Sequence, residues 1–271
     1  MILPPSSRIR LRAAADPARG KALAAALTAR NWREAAVIKQ TDTSSVLGAL
    51  ITVGDQALPV IAKSRLVASF PDAVKAFVRS SSLDRQRSAA TWLLANDFPA
   101  PRWYVHLSGI ADGLHVQTLF VQAIRGNTLL TALQADIPAA QAIREPLGVC
   151  IGRLLLANRL HADLKPSNMV LAGSRPMLVD APLRTIRPFG RGRALVRMLR
   201  DLSLEPSGLG ITHPDHWLDD VAAYALRTLW DRPPAAAAVA AVIRRVTTLV
   251  AARGNTSPIH PPRQIDHYPC I

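Results

Sequence analysis

His161-Ala162-Asp163-Leu164-Lys165-Pro166-Ser167-Asn168 is the stretch on which the reading of this chain turns. It lies between two apolar runs, Cys150–Leu160 and Met169–Leu171. A polar octapeptide holding one acid, one base and one amide in that setting reads as a loop built for chemistry. The carboxylate of Asp163 can orient or deprotonate a hydroxyl. The amide of Asn168, five positions on, can hold a metal ion that bridges phosphates. The plainer alternative is a helix-to-strand turn with no chemical role.

Downstream, Met169–Ala172 and Met177–Val179 read as a strand pair around the turn Gly173-Ser174-Arg175-Pro176, and Asp180 closes the second strand. A strand-end Asp can cap a turn, but a hard cation also takes carboxylate oxygens. Arg175, Arg184, Arg187, Arg191, Arg193, Arg197 and Arg200 follow with few acids among them. Guanidinium forks match phosphates and carboxylates, so the segment reads either as docking for an anionic acceptor or as a helix over 194–204 with solvated arginines. Helical periodicity continues over 215–231 and 234–252. The tail over 254–271 is Pro-rich and expected to be irregular, with His260 and His267 on the surface.

Upstream, the spacing of apolar residues predicts one long helix over 139–159, a short one over 129–135 and another over 71–96. Trp103–Leu107 and Leu114–Val121 read as a hairpin around Ala111-Asp112-Gly113. Three short strands come earlier, opening at Val37-Ile38 and continuing through Val46–Val53 and Leu58–Lys63. Lys63 ends the apolar run Pro59-Val60-Ile61-Ala62. Before them, 17–31 reads as a helix within a basic extension.

His161 to Asn168 fits H-x-D-L-K-P-x-N, which resembles the catalytic loop of the protein-kinase-like superfamily. Val60-Ile61-Ala62-Lys63 partly resembles the strand V-A-I-K, and Asp180-Ala181-Pro182 stands where that superfamily has D-F-G. Gln122-Ala123-Ile124-Arg125-Gly126-Asn127-Thr128-Leu129 resembles its hinge and the phrase that follows. Two departures stand out. The phosphate-covering loop has Gly48 alone, with Thr41, Thr43, Ser44 and Ser45 as hydroxyl donors. The helix over 71–96 has no Glu to pair Lys63, leaving Asp84 and Gln86 as the nearest candidates.

The chain looks most like the bacterial lipopolysaccharide-core (Kdo/heptose) kinase family. That resemblance implies an α+β, bilobal protein-kinase-like fold. Residues 1–34 would be a basic extension, 35–123 a small β-rich nucleotide lobe, 124–253 a helical catalytic lobe and 254–271 a tail. It implies ATP and Mg2+, with Asp163 taking the acceptor's proton and Lys165 neutralising the phosphoryl group. Asn168 and Asp180 would hold the metal. Lys63, Gly48, Gln122 and Ile124 would bind nucleotide, the last two through hinge backbone. The acceptor would be a phosphorylated glycolipid sugar, met in the cytoplasm at the inner face of the inner membrane. A pseudokinase, a serine/threonine protein kinase-like enzyme, or a basic scaffold for anionic lipid or nucleic acid remain as alternatives.

Composition sets the outer bounds. The chain has 271 residues, 49% of them hydrophobic, enough for one large domain or two lobes. Lys and Arg outnumber Asp and Glu by 33 to 19, a formal charge of +14. That favours an anionic partner such as a nucleotide or an anionic membrane; nucleic acid is not expected. Cys150 and Cys270 are too far apart in sequence to suggest a metal spacing or a disulfide framework, as expected of a reducing compartment. No transmembrane run and no secretory leader are expected.

Overall fold

The computed structural model describes residues 9–29, 31–67, 69–78, 80–111 and 114–253. The expected tail, with His260, His267 and Cys270, lies outside the described residues. So do residues 1–8 of the expected extension and the hairpin turn Asp112-Gly113. The chain is α+β and divides into two compact units, the first running to Ile124 and the second starting at Arg125.

The first unit contains, in order, β1 (Arg10–Ala14), α1 (Pro17–Thr28), β2 (Trp32–Gln40), β3 (Ser44–Val53), β4 (Gln56–Leu66), α2 (Phe70–Phe77), α3 (Ser82–Ala95), β5 (Trp103–Ala111) and β6 (Leu114–Gln122). Its strands form one antiparallel sheet in the order β1-β5-β6-β4-β3-β2. Residues 10–28, expected as a separate extension, are built into this unit. β1 pairs along β5, and α1 packs on the sheet. Asp16 starts α1 by accepting from Ala18 N–H at 2.9 Å, with Pro17 at the first helical position.

The sheet is covered on both faces, as the near-continuous apolar runs of β3 and β4 require, because successive side chains point to opposite faces. On one face Leu23, Ala26 and Leu27 of α1 meet Ile51, Val60, Ala62, Leu107 and Phe120. Leu23 and Phe120 are fully buried, each contributing about 1.5–3 kcal/mol by area. On the other face Leu83 of α3 meets Ile61, Trp103, Leu119 and Val121. Register puts Lys63 opposite Val46 and Leu119, two residues from Ile61, so it stands on the face that α3 covers.

The helix expected over 71–96 is two helices. Ser81 starts the second with a capping box: its Oγ accepts from Asp84 N–H at 3.2 Å, and the Asp84 carboxylate accepts from Ser81 N–H at 3.3 Å. Ser81→Ala should lower the unfolding free energy by about 1 kcal/mol, measured by urea titration.

The second unit contains α4 (Leu129–Ala135), α5 (Ile137–Ala142), α6 (Arg144–Leu156), β7 (Arg159–His161), β8 (Met169–Ala172), β9 (Arg175–Leu178), β10 (Leu183–Thr185), α7 (Arg191–Gly208), α8 (Trp217–Trp230) and α9 (Ala236–Arg253). The expected helix over 139–159 breaks at Ile143. Pro146, three residues later, has no N–H to donate to Ala142 and its ring would clash with that carbonyl. Gly148 and Gly152 face α8. A Cβ on Gly148 would meet Val221 O at 2.7 Å, and one on Gly152 would meet Ala225 O at 2.7 Å. These two positions therefore set how closely α6 and α8 approach. Trp217 is buried, and its indole N–H donates to Ala140 O at 2.6 Å. No helix among the described residues is long and apolar enough to cross a membrane.

Candidate active-site loop

α6 delivers the chain to the loop. Asn158 takes a left-handed conformation (φ 55°) just past the helix end, a turn for which Asn is suited. Arg191 of α7 fixes this corner, donating to Asn158 Oδ1 and to Leu156 O, each at 3.1 Å. One arginine of the basic segment is thus spent on a helix terminus. Arg200 is held by Asp201 at 3.0 Å. Capacity to dock an anion falls mainly to the exposed Arg175, Arg184, Arg187 and Arg193.

β7 pairs antiparallel with β10, and Ala162 N–H donates to Pro182 O at 2.8 Å. These bonds tie the start of the polar loop to the chain just beyond Asp180. Leu164 is buried and pins the middle. A 3-10 turn over Pro166–Asn168 follows. Glu205 of α7 holds it in place: Ser167 N–H and Oγ donate to its two carboxylate oxygens at 2.9 and 2.7 Å. Glu205→Gln removes the charge from both bonds and should cost about 1–2 kcal/mol. Thermal unfolding of the full chain checks this.

Asp163 and Asn168 meet directly. The Asn168 Nδ2 donates to Asp163 Oδ2 at 2.8 Å and to Asp163 O at 3.0 Å. With its nitrogen committed twice, the amide leaves Oδ1 as its outward end, and Oδ1 accepts no hydrogen bond from the described residues. Lys165 Nζ lies 3.6 Å from Asp163 Oδ2, with both side chains roughly half exposed, at 37% and 48%. Val179 N–H donates to Asn168 O at 3.1 Å, which brings the Asp180 segment alongside Asn168.

Behind the loop His161 is fully buried, and its Nδ1 accepts from Asp163 N–H at 3.3 Å. Burial pushes its pKa down to about 4, against the opposing pull of Asp163. The imidazole is therefore neutral, with its proton on Nε2. Asp201 has its pKa raised, first by burial and in small part by the nearby Asp163 charge, while Arg200 and Arg197 oppose. Burial pushes the Cys150 thiol up to about 12, so it is not a nucleophile.

The remaining expected residues belong to the first unit. Gly48 is four residues inside β3, paired with Ala36 and Ile61, and not in the preceding turn. That turn, Thr41–Thr43, is closed by Thr41 N–H to Ser44 O at 2.8 Å and a Thr41–Ser44 hydroxyl contact of 2.8 Å. Gln122 ends β6. Its N–H donates to Arg102 O, and its Oε1 accepts from Arg102 N–H at 3.3 Å. Ala123 N–H donates to Pro59 O at 3.4 Å. Ile124 is buried at the end of the unit. Of the two candidates to pair Lys63, Asp84 is committed elsewhere. It is 2% exposed, bonded by Ser81, and lies 3.5 Å from Arg12 and 3.4 Å from His106. Gln86 keeps a buried Oε1 with no hydrogen-bond partner among the described residues.

The structure thus brings together Asp163, Lys165 and Asn168, with the Asp180 segment bonded beside them, and sets Lys63 on the α3 face of its sheet. The roles of Glu205 and Arg191 were not anticipated, since each acts from α7, more than thirty residues from the group it holds. Gly126 has a packing role that only the phrase Arg125-Gly126-Asn127-Thr128 hints at. At φ 140° a Cβ there would lie 2.1 Å from Leu171 O. Among the described residues no group of three or more His, Cys, Asp or Glu could hold a metal by itself. Magnesium commonly takes only one or two protein oxygens besides phosphates and water, and Asn168 Oδ1 is a donor of that type. Compared with protein-family models and with curated proteins, the sequence matches none.

Proposed function

We propose that this chain is an ATP-dependent phosphotransferase of protein-kinase-like fold, acting on a hydroxyl. The observation that carries the reading is the Asn168 amide, whose nitrogen is fixed on Asp163 while its oxygen stays open. One short loop thereby presents a carboxylate for a proton and a neutral oxygen for a cation, the two roles that phosphoryl transfer needs side by side.

In this reading Asp163 orients the acceptor hydroxyl and takes its proton as the oxygen attacks the terminal phosphorus of ATP and the bond from that phosphorus to the bridging oxygen breaks, releasing ADP. Lys165, 3.6 Å from that carboxylate, stabilises the negative charge of the migrating phosphoryl group. Asn168 and Asp180 would hold magnesium, which when bound neutralises phosphate charge. Lys63 is assigned to the nucleotide phosphates. Burial of neutral His161 beneath Asp163 keeps the loop's backbone fixed without adding a competing charge. The acceptor we favour is an anionic glycolipid sugar, with exposed Arg184, Arg187 and Arg193 available for its phosphates and for peripheral contact with an anionic membrane.

A second reading is favoured by Asp84, which Arg12 and His106 occupy. With Asp84 so held and no Glu anywhere on α3, the chain could bind nucleotide without transferring phosphate. Incubation with labelled ATP and magnesium across glycolipid, sugar, aminoglycoside and peptide acceptors separates the two. Label in one acceptor class supports the enzyme. Nucleotide binding with no label in any class supports the binding module.

A further inference from the structure

Opposite the end of β4, the first unit has a pocket that the phosphotransfer reading does not use. It is a small cleft of about 50 Å³, open to solvent, lined by Arg65 and Leu66 at the end of β4 with Val67 after it, Asp72 of α2, Ser81, Ser82 and Arg85 at the start of α3, and Gln117 of β6. Arg65 and Gln117 are cross-strand partners, so their side chains leave the sheet on the same face. Arg65 Nη1 donates to Ser82 Oγ at 2.9 Å, which holds the guanidinium beside the helix end.

Two independent observations converge on this pocket. α3 runs for 14 residues, and its capping box uses only the Asp84 N–H of the first turn together with Arg85 N–H, which donates to Ser81 O at 3.0 Å. The N–H groups of Ser82 and Leu83 have no acceptor among the described residues, and they carry the positive end of the helix dipole. Separately, Gln117 is 4% exposed, yet its amide makes no hydrogen bond with any described residue. A polar group kept in that position, on the wall of a pocket with two arginines, needs a partner that comes from outside the chain.

We propose that this pocket binds a phosphate or a phosphate monoester. Arg65 and Arg85 supply guanidinium forks, the α3 terminus supplies N–H donors and the Gln117 amide donates to a third oxygen. Asp72 also lines the pocket, its carboxylate already accepting from Ser69 Oγ at 2.7 Å. An acceptor in the wall suits an oxyanion that still carries a proton. Hydrogen phosphate and monoesters, with a second pKa of about 6, meet that condition near pH 6; sulfate does not. The site is independent of Lys63, Asp163 and Asp180, so it stands or falls apart from the transferase reading.

Isothermal titration of the full chain with inorganic phosphate, glycerol 3-phosphate and sulfate at pH 6 tests this. One saturable site is expected, tighter for phosphate than for sulfate, with the two phosphates compared to show whether the free ion or the ester is preferred. Arg85→Ala, an exposed change, should weaken phosphate by at least about tenfold, as expected for a lost charge-assisted contact. Gln117→Leu should remove binding while leaving the Tm nearly unchanged, since its amide bonds no described residue. If Arg65→Ala fails to fold, these two variants still decide the matter. No saturable binding, or binding that both variants leave unchanged, overturns the site.

Discussion

Asp163→Asn should reduce phosphoryl transfer from ATP by about a thousandfold, in the range seen when a positioned proton acceptor is lost, while ATP affinity and Tm stay nearly unchanged. The geometry explains the separation. Asn is close to Asp in shape, and its amide oxygen can still accept from Asn168 Nδ2, so the 2.8 Å contact survives. The carboxylate is 48% exposed, so little folding energy rests on its charge. What disappears is the base, together with the charge that holds Lys165 at 3.6 Å. Lys165→Met should lower the maximal rate as well, but less steeply, because the proton acceptor remains. Transfer by Asp163→Asn within about tenfold of the unmodified chain, a loss too small for a lost general base, would remove Asp163 from the chemistry and leave the nucleotide-binding reading.

The parts of this loop that were legible in sequence are those in which side-chain type and spacing act within a few residues. Asp163, Lys165 and Asn168 fall into that group, because a tight loop forces their mutual approach. The supports were not legible for the opposite reason. Glu205 is bonded to Ser167 across 38 positions, and nothing in the amphipathic stripe of α7 distinguishes it from a solvated acid. Arg191 looked like one more member of a basic run, yet it satisfies a helix terminus.

β1 shows how composition can mislead. Arg10-Leu11-Arg12-Ala13-Ala14 reads as a charged arm. However, an edge strand tolerates arginine, and Arg12 turns inward, close to Asp84. The six-stranded sheet was legible only as its three-strand meander and its hairpin, because strand order is set by long-range pairing. Two breaks did carry a local signal. Ser81 and Asp84 form the S-x-x-D pattern of a helix start, and Pro146 marks the end of a continuous helix. In both cases the apolar periodicity ran on through the break and concealed it. Gly48 fails for a related reason: a lone glycine in an apolar run is as compatible with a strand interior as with a loop, and the pairing with Ile61 decides for the strand.

Acid should loosen the unit that carries the loop, through His161. Its pKa of about 4 lies below the ordinary histidine value of 6.5, so the unfolded chain binds a proton more readily than the folded one. The stabilisation from keeping the ring neutral is full above pH 6.5 and is lost as pH falls toward 4. The gap corresponds to about 3 kcal/mol at the acid end. A proton on Nδ1 would also abolish the bond from Asp163 N–H at 3.3 Å, so the loop that presents Asp163 is coupled to the same titration. His213 is lowered by burial too and contributes in the same direction, so a comparison with a variant is needed to isolate His161. His161→Asn keeps an acceptor near the Asp163 N–H but does not titrate. Urea unfolding at pH 7.5, 6, 5 and 4 should show the unmodified chain losing about 3 kcal/mol more than His161→Asn across that span. Parallel stability curves for the two proteins would mean that the ring is protonated in the folded state, or that it is open to water, and would undo the account of a neutral histidine beneath the loop.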